Sequence, residues 1–288
     1  MLGILAALGA LLAWGFGDFS LQRATRVFGN VRTLSLVGLS GIVGLYPFVH
    51  SEIPALLVDN GRLMLLSVTG LVIFVAAMLD FEALKQGKIA VIEPVLAFEL
   101  PIAVALAAVF LGEQLSPVQF GLACTTFVGI VLSVTKHQKH LKYHRRLLEP
   151  GVIFAVVGSV IMGGVNFLVG VSSQQTSPMM AIWFTNVIFT ALSLAYLVWR
   201  GELGTLFRGV RQHLGTTVAV CVLDNGAWLL YALAASLIPI AIATTISESY
   251  IALAVLLGLF INHEKLQRHQ LVGVAIAVGS VVLLSLSL

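Results

Sequence analysis

Charge is what this 288-residue sequence has least of: Asp, Glu, Lys and Arg make up 10% of it, against 59% hydrophobic residues. A soluble domain carries about 25% charged residues, so this balance excludes an ordinary soluble protein. Cysteine is also scarce, with only Cys124 and Cys221, and both fall inside apolar runs where a thiol behaves as a small hydrophobe. They carry no information about redox compartment. No GxxxxGK[ST] run occurs, and almost nothing is left over for a soluble domain that could hold a nucleotide. The opening MLGILAALGALLAWGFGD has neither a basic n-region nor a small-residue cleavage site, so it reads as a retained helix.

What fills the chain is apolar runs of spanning length. Ten can be marked, approximately at 3–21, 31–49, 63–83, 89–111, 118–135, 151–170, 177–198, 215–236, 239–261 and 269–287. The basic residues are sorted by side. Arg23, Arg26, Arg32, Lys85, Lys88, Lys136, Lys139, Lys142, Arg145, Arg146, Arg200, Arg208, Arg211, Lys265 and Arg268 all follow odd-numbered spans, and Arg62 alone falls on the other side. Basic loops stay cytoplasmic, so this predicts a multi-pass protein of the cell (inner) membrane with both termini extracytoplasmic. The stretch 136–149, KHQKHLKYHRRLLE, holds the one long basic connection. His137, His140 and His144 have helical spacing, but a solvated linker touching anionic headgroups is preferred to a metal site. Five basic residues there are too few to suggest nucleic acid. No metal and no other cofactor is expected.

The chemistry concentrates in VIEPVLAFELPIAVALAAVFLGE, residues 91–113, an apolar run carrying Glu93 and Glu99 and interrupted by Pro94 and Pro101. Hydrocarbon offers no water to a carboxylate or to a carbonyl freed by proline, so protein or a wet cavity must answer both. Counting from Ile89, Glu93 lies about one turn in and Glu99 nearly three, close to mid-bilayer. Six residues turn a helix by roughly 240°, so the two do not share a face. In the second half PIAIATTISESYIALAVLLGLFINHE, residues 239–264, carries Glu248 near its middle. The two segments read as walls of one binding site.

The halves repeat. GALLAWGFGDF aligns with VGSVIMGGVNF, placing Asn166 opposite Asp18 and Gly163 opposite Gly15; EALKQG aligns with YALAAS, and LGEQLSPVQFG with INHEKLQRHQLVG. The offset stays between 148 and 152 residues, and it sets Glu99 on Glu248. Five spans per half make the second half enter the membrane in the opposite sense, which is an inverted repeat. The predicted fold is therefore an all-α integral membrane protein of ten transmembrane helices in two inverted five-helix repeats. Residues 1–135 form the first repeat, 136–150 the linker and 151–288 the second repeat.

Other candidates gather around the glutamates. Asp224, Trp228 and Tyr231 share one face of the eighth span; Trp183, Asn186 and Thr190 share one face of the seventh; Tyr250 follows Glu248 by two. Two buried acids beside aromatic rings suit an ammonium group, through charge pairing and cation–π contact, whereas Trp183 also fits an interfacial anchor. Trp14 and Asp18 share a face of the first span, and Asp18, five residues before Arg23, is predicted near the cytoplasmic end, either as an interfacial carboxylate answered by arginine or water or at the mouth of the cavity. Asp80 also falls within two turns of that side, and Glu82 pairs locally with Lys85 or Gln86. Ser116, Pro117 and Gln119 read as a helix start with a capping box, beside which Glu113 reads as structural.

These residues resemble the drug/metabolite transporter superfamily, and within it the EamA-type ten-helix transporters with two EamA repeats. Carrying the resemblance are Trp14-Gly15, Ala83-Leu84, Pro101, the Gly112-Glu113 terminator and Gly121. The second copy departs from the pattern, with Asn262-His263-Glu264 for Gly-Glu and no proline to match Pro101. The resemblance implies transport without enzymatic chemistry, with export the commoner direction. Such transporters are often drawn with cytoplasmic termini, which the charge pattern opposes.

The expected function is secondary-active, proton-coupled transport of a small cationic or zwitterionic metabolite by alternating access. An amino acid, a polyamine or a quaternary amine would fit. The site would comprise Glu99, Glu248, Asp224, Trp228, Tyr231, Trp14, Asp18, Glu93, Asn166, Asn186 and Tyr250. The expected partners are the substrate, protons and the lipid bilayer, with the chain a monomer or homodimer. A neutral or anionic substrate is the alternative within transport. Outside it, Gly15-Phe16-Gly17-Asp18 reads GxGD, as in intramembrane aspartyl proteases. Asp80 lacks a preceding tyrosine, however, and no Pro-Ala-Leu occurs near the C-terminus.

Overall fold

The computed structural model describes residues 1–112, 116–136 and 147–286. Its helices are α1 (Leu2–Phe28), α2 (Asn30–Val49), the short α3 (Ile53–Val58), α4 (Asn60–Gln86), α5 (Ile89–Leu96), α6 (Glu99–Leu111) and α7 (Pro117–Val134). The second half follows with α8 (Val152–Gln175), α9 (Pro178–Trp199), α10 (Leu214–Leu237), α11 (Ile240–Glu248), α12 (Tyr250–Phe260) and α13 (Arg268–Leu286). The described strands are two-residue ones, Thr135–Lys136 and Leu147–Leu148, paired antiparallel. Glu113 and the linker histidines His137, His140 and His144 lie outside the described residues, as does the Gln119 side chain.

Eight spans among the described residues are long and apolar enough to cross a membrane, counting α5 with α6 and α11 with α12 as one span each. The other two expected spans are α7 and α13, which pack against each other. The protein is thus an all-helical, multi-pass membrane protein. Lipid gives helices no hydrophobic reason to associate, so they meet through small residues that let backbones approach. The buried face of α1 carries Ala6, Ala7, Ala10, Gly15, Gly17 and Ala24, and α10, packed along it, buries Ala227, Ala232, Ala234 and Ala235.

Two close approaches make the repeat visible. A Cβ at Gly15 would fall 2.6 Å from Leu253 Cδ2, and one at Gly163 would fall 2.7 Å from the Ile102 Cβ. So α1 crosses α12 as α8 crosses α6, at positions one repeat apart. Glutamines repeat the relation. Gln22 of α1 donates to Leu84 O at 3.1 Å and Gly87 O at 3.2 Å, and Gln174 of α8 donates to Ala235 O at 2.9 Å.

The basic connections gather at one end. Lys88 pairs with Glu149 at 3.6 Å and donates to Lys265 O, Arg26 donates to Gly87 O, and Arg32 donates to Arg208 O. Glu264 also belongs to this end. Its carboxylate accepts from Ile89 N at 3.0 Å and Ala90 N at 2.8 Å, satisfying two donors that the start of α5 leaves open. Arg62 pairs with Asp59 at the opposite end, where α4 begins.

One boundary departs from expectation and moves a site residue. Hydropathy ends the first span near residue 21, but α1 continues to Phe28 because its polar last turns are satisfied internally. Thr25 donates to Leu21 O, Gln22 is fully buried on the carbonyls of Leu84 and Gly87 at the end of α4, and Arg23 lies over the Phe19 ring, 4.3 Å from its centre. Asp18 is therefore ten residues from the end of α1, about 15 Å of helix. Its side chain is buried.

Candidate functional site

Both central spans are broken, and a glutamate stands at each break. Between α5 and α6 the chain tightens: Phe98 N bonds Val95 O and Leu100 N bonds Ala97 O, both three residues back. Pro101 has no N–H to offer Ala97 O, which turns to Leu100 instead. Glu99 becomes the first residue of α6, where an open helix N-terminus favours a carboxylate. Between α11 and α12 no proline is present. There, hydroxyls do the work, with Thr244, Thr245, Ser247 and Ser249 each donating to a carbonyl four residues back. Such back-bonding bends helices, and α11 ends on Glu248.

Asn166 of α8 joins the two breaks. Its Nδ2 donates to Glu99 Oε2 at 3.2 Å and to Glu248 Oε1 at 3.0 Å. All three side chains are buried, and Glu248 Oε2 has no partner among the described residues. Behind them the Tyr231 hydroxyl donates to Asn166 O at 2.8 Å and lies 2.9 Å from Thr244 Oγ1, tying α10 to both α8 and α11.

In front lies a cavity whose empty space, open mouth included, is about 810 Å³. Its polar lining is Asp18, Asp80, Glu99, Asn166, Thr185, Asn186, Asp224 and Glu248, with Trp14, Trp228 and Tyr250 as its principal aromatic wall. Trp14 centres that wall, 5.1 Å from Trp228 edge to face, 5.6 Å from Tyr231 and 5.8 Å from Tyr250. None of the lining residues among those described is Lys, Arg or His.

Nine of the eleven residues singled out in the sequence line this cavity. Tyr231 stands behind the wall, and Glu93 is fully buried off it. Asp18 and Asp80, read from the sequence as near the surface, are both buried and both line the cavity; one Asp80 oxygen has no partner among the described residues. Asn186 is held by Asn225 Oδ1 at 2.9 Å, and Asn225 donates in turn to Val37 O and Cys221 O. Asn225 escaped the sequence reading, and so did Thr185. Trp183 is off the cavity and donates to Ile42 O at 3.1 Å. Glu82 pairs locally with Gln86 and Lys85, as its spacing predicts, and also with Asn30.

No curated protein matches the chain. A solved structure described only as the crystal structure of a protein is similar in fold, with a TM-score of 0.69 at 16% identity over 99% of this chain and 96% of that one. The family comparison reaches further. Residues 1–135 and 149–286 each match the EamA-like transporter family, so the chain belongs to that family, a transporter of the drug/metabolite class built from two EamA repeats.

Proposed function

We propose that the protein is a secondary-active carrier of a small cationic or zwitterionic amine, coupled to protons and working by alternating access of its two repeats. One observation carries this reading: Asn166 holds Glu99 and Glu248 together at the breaks of two symmetry-related helices. Two ionised carboxylates buried on one amide would repel each other, so the pair keeps a proton until a cation replaces it. The Trp14, Trp228 and Tyr250 rings supply π-faces for the same ammonium group. Discontinuous helices at mid-membrane, meeting where inverted repeats join, are where such carriers bind their cargo.

A neutral or anionic cargo is disfavoured by the lining, which offers an anion no basic side chain. The protease reading gains a second aspartate, Asp80, in the same cavity as Asp18, yet it leaves the Asn166-bridged glutamates without a role. The end of the bundle that gathers Arg26, Arg32, Lys88 and Lys265 is assigned to the cytoplasm by its charge, leaving the termini outside, and export is the direction the family favours.

The test is a thermal-shift screen of the purified protein against amines, amino acids and nucleosides, because a ligand bound by the folded state alone raises its apparent stability. Stabilisation by amines that is lost in Glu99→Gln or Glu248→Gln supports the proposal. Stabilisation confined to neutral or anionic compounds contradicts it.

A further inference from the structure

The acids that line the cavity lie at two levels. Glu99 and Glu248 form the first, on Asn166, whose main-chain oxygen accepts the Tyr231 hydroxyl at 2.8 Å. Asp224 comes seven residues before Tyr231, about 10 Å nearer the start of α10. Asp18 is level with it across the helix pair, because a Cβ on the adjoining Gly17 would lie 4.0 Å from Asp224 N. Between the two levels Trp228, one turn from Asp224, meets Trp14 edge to face. The same spacing recurs on α8. A Cβ on Gly158 would collide with Asp80 Oδ1, and Gly158 precedes Asn166 by eight residues, about 12 Å. Both helices begin at the basic end of the bundle, α8 beside Glu149 with its Lys88 partner and α10 after His213, which meets Phe28 at the close of α1. Asp18, Asp80 and Asp224 therefore share one side of the glutamate pair. Each level keeps a buried oxygen with no partner among the described residues, Glu248 Oε2 in the first and Asp80 Oδ1 in the second.

A cargo carboxylate would need donors, and the lining has committed most of its own. Asn166 gives its Nδ2 to both glutamates. Thr185 donates to carbonyls of its own helix, Ala181 O or Ile182 O. Asn186 turns its Nδ2 to Asn225 Oδ1 at 2.9 Å. That orientation is enforced from behind: Asn225 Nδ2 contacts Val37 O at 3.0 Å and Cys221 O at 2.9 Å, and a carbonyl oxygen can only accept. A carboxylate would thus meet five acids, no basic side chain among the described lining, and little beyond ring N–H and O–H groups to bond it.

We propose that the cargo is an unbranched diamine or longer polyamine without a carboxylate, bound end to end across the two levels. One ammonium group sits at Glu99 and Glu248, and the other sits at Asp18 and Asp224. The methylene chain between them lies along the Trp14 and Trp228 rings, which stand where an apolar stem would pass. This rests on the carrier reading above and narrows its cargo, setting aside amino acids and amines with a single charged end.

The test is equilibrium binding of hexamethylenediamine, hexylamine and ε-aminocaproate to the purified full-length protein. These compounds share one length of carbon chain and differ at one end alone. The diamine should bind about tenfold more tightly than hexylamine, and ε-aminocaproate more weakly than either. In Asp224→Asn the advantage of the diamine over hexylamine should largely vanish, whereas Glu99→Gln should weaken both amines. Should Asp224→Asn fail to fold, the three ligands on the unaltered protein decide alone. A diamine that binds no tighter than hexylamine overturns the two-ended site and leaves the carrier reading standing. So does ε-aminocaproate binding as tightly as the diamine. Failure of the carrier reading looks different: none of the three would bind, or Glu99→Gln would change nothing, and both proposals would then fall.

Discussion

The two broken helices reach one geometry by different chemistry. In the first half Pro101 withholds an N–H, and the chain gives way between α5 and α6. In the second half a run of threonines and serines turns its hydroxyls back on the helix, and the chain gives way at Ser249. The glutamate comes just after the first break and just before the second. The side chains around them differ too: the position that is Asp18 in α1 is Asn166 in α8. The repeat thus specifies the scaffold, down to which helix crosses which at Gly15 and Gly163, and the departures from it specify the chemistry. An acid opposite an acid would leave the Glu99–Glu248 pair with no donor.

Restoring symmetry at that position should therefore be the most damaging change. Asn166→Asp removes two hydrogen bonds donated to carboxyl groups, worth about 1.5–3 kcal/mol each, and adds a third acid. Ligand affinity in a binding assay should fall by roughly a hundredfold or more. The opposite symmetrisation, Asp18→Asn, keeps the Asn166 bridge and removes one cavity acid, so about a tenfold loss is expected. A larger loss from Asp18→Asn than from Asn166→Asp would reverse the roles assigned to the two repeats.

Smaller effects probe the scaffold. Trp14→Leu leaves the carboxylates in place and removes the central π-face, which should weaken binding of an ammonium ligand by about 1–2 kcal/mol while a neutral analogue is less affected. Glu264→Ala leaves Ile89 N and Ala90 N uncapped, so stability should drop by about 1 kcal/mol, read as a fall of about 2–4 °C in melting temperature. Ser249→Ala removes only one hydroxyl back-bond, and a change within about 0.5 kcal/mol is expected by the same assay.

Much of this could be read in the sequence because lipid imposes simple demands. A span must be apolar, a basic loop must stay on one side, and a buried acid must have a reason. Those demands exposed the spans, the repeat and the two central glutamates. Where polar residues answer one another inside the bundle, hydropathy misleads. Gln22 and Thr25 look like loop residues yet extend α1, and that extension leaves Asp18 ten residues from the helix end rather than near it. The Asn166 bridge joins residues 67 and 82 positions apart in the chain, a proximity that only the folded bundle creates. Tyr231 shares a helix face with Asp224 and Trp228 but ends behind the wall, because its hydroxyl is taken by Asn166 O and Thr244.

The central claim is that the bridged glutamates exchange a proton for a cation, and affinity measured against pH tests it directly. At low pH the pair holds its proton and a cation must compete with it; as pH rises the competitor is lost. The dissociation constant of the best-stabilising amine from the thermal-shift screen, measured on purified protein from acid to alkaline pH, should therefore fall as pH rises. Glu99→Gln and Glu248→Gln should each bind more weakly, and at least one should lose the pH dependence. The double variant should be little worse than the poorer single one, because the two act as a unit. An affinity independent of pH, together with normal binding by both single variants, would make the carboxylates structural and contradict the account.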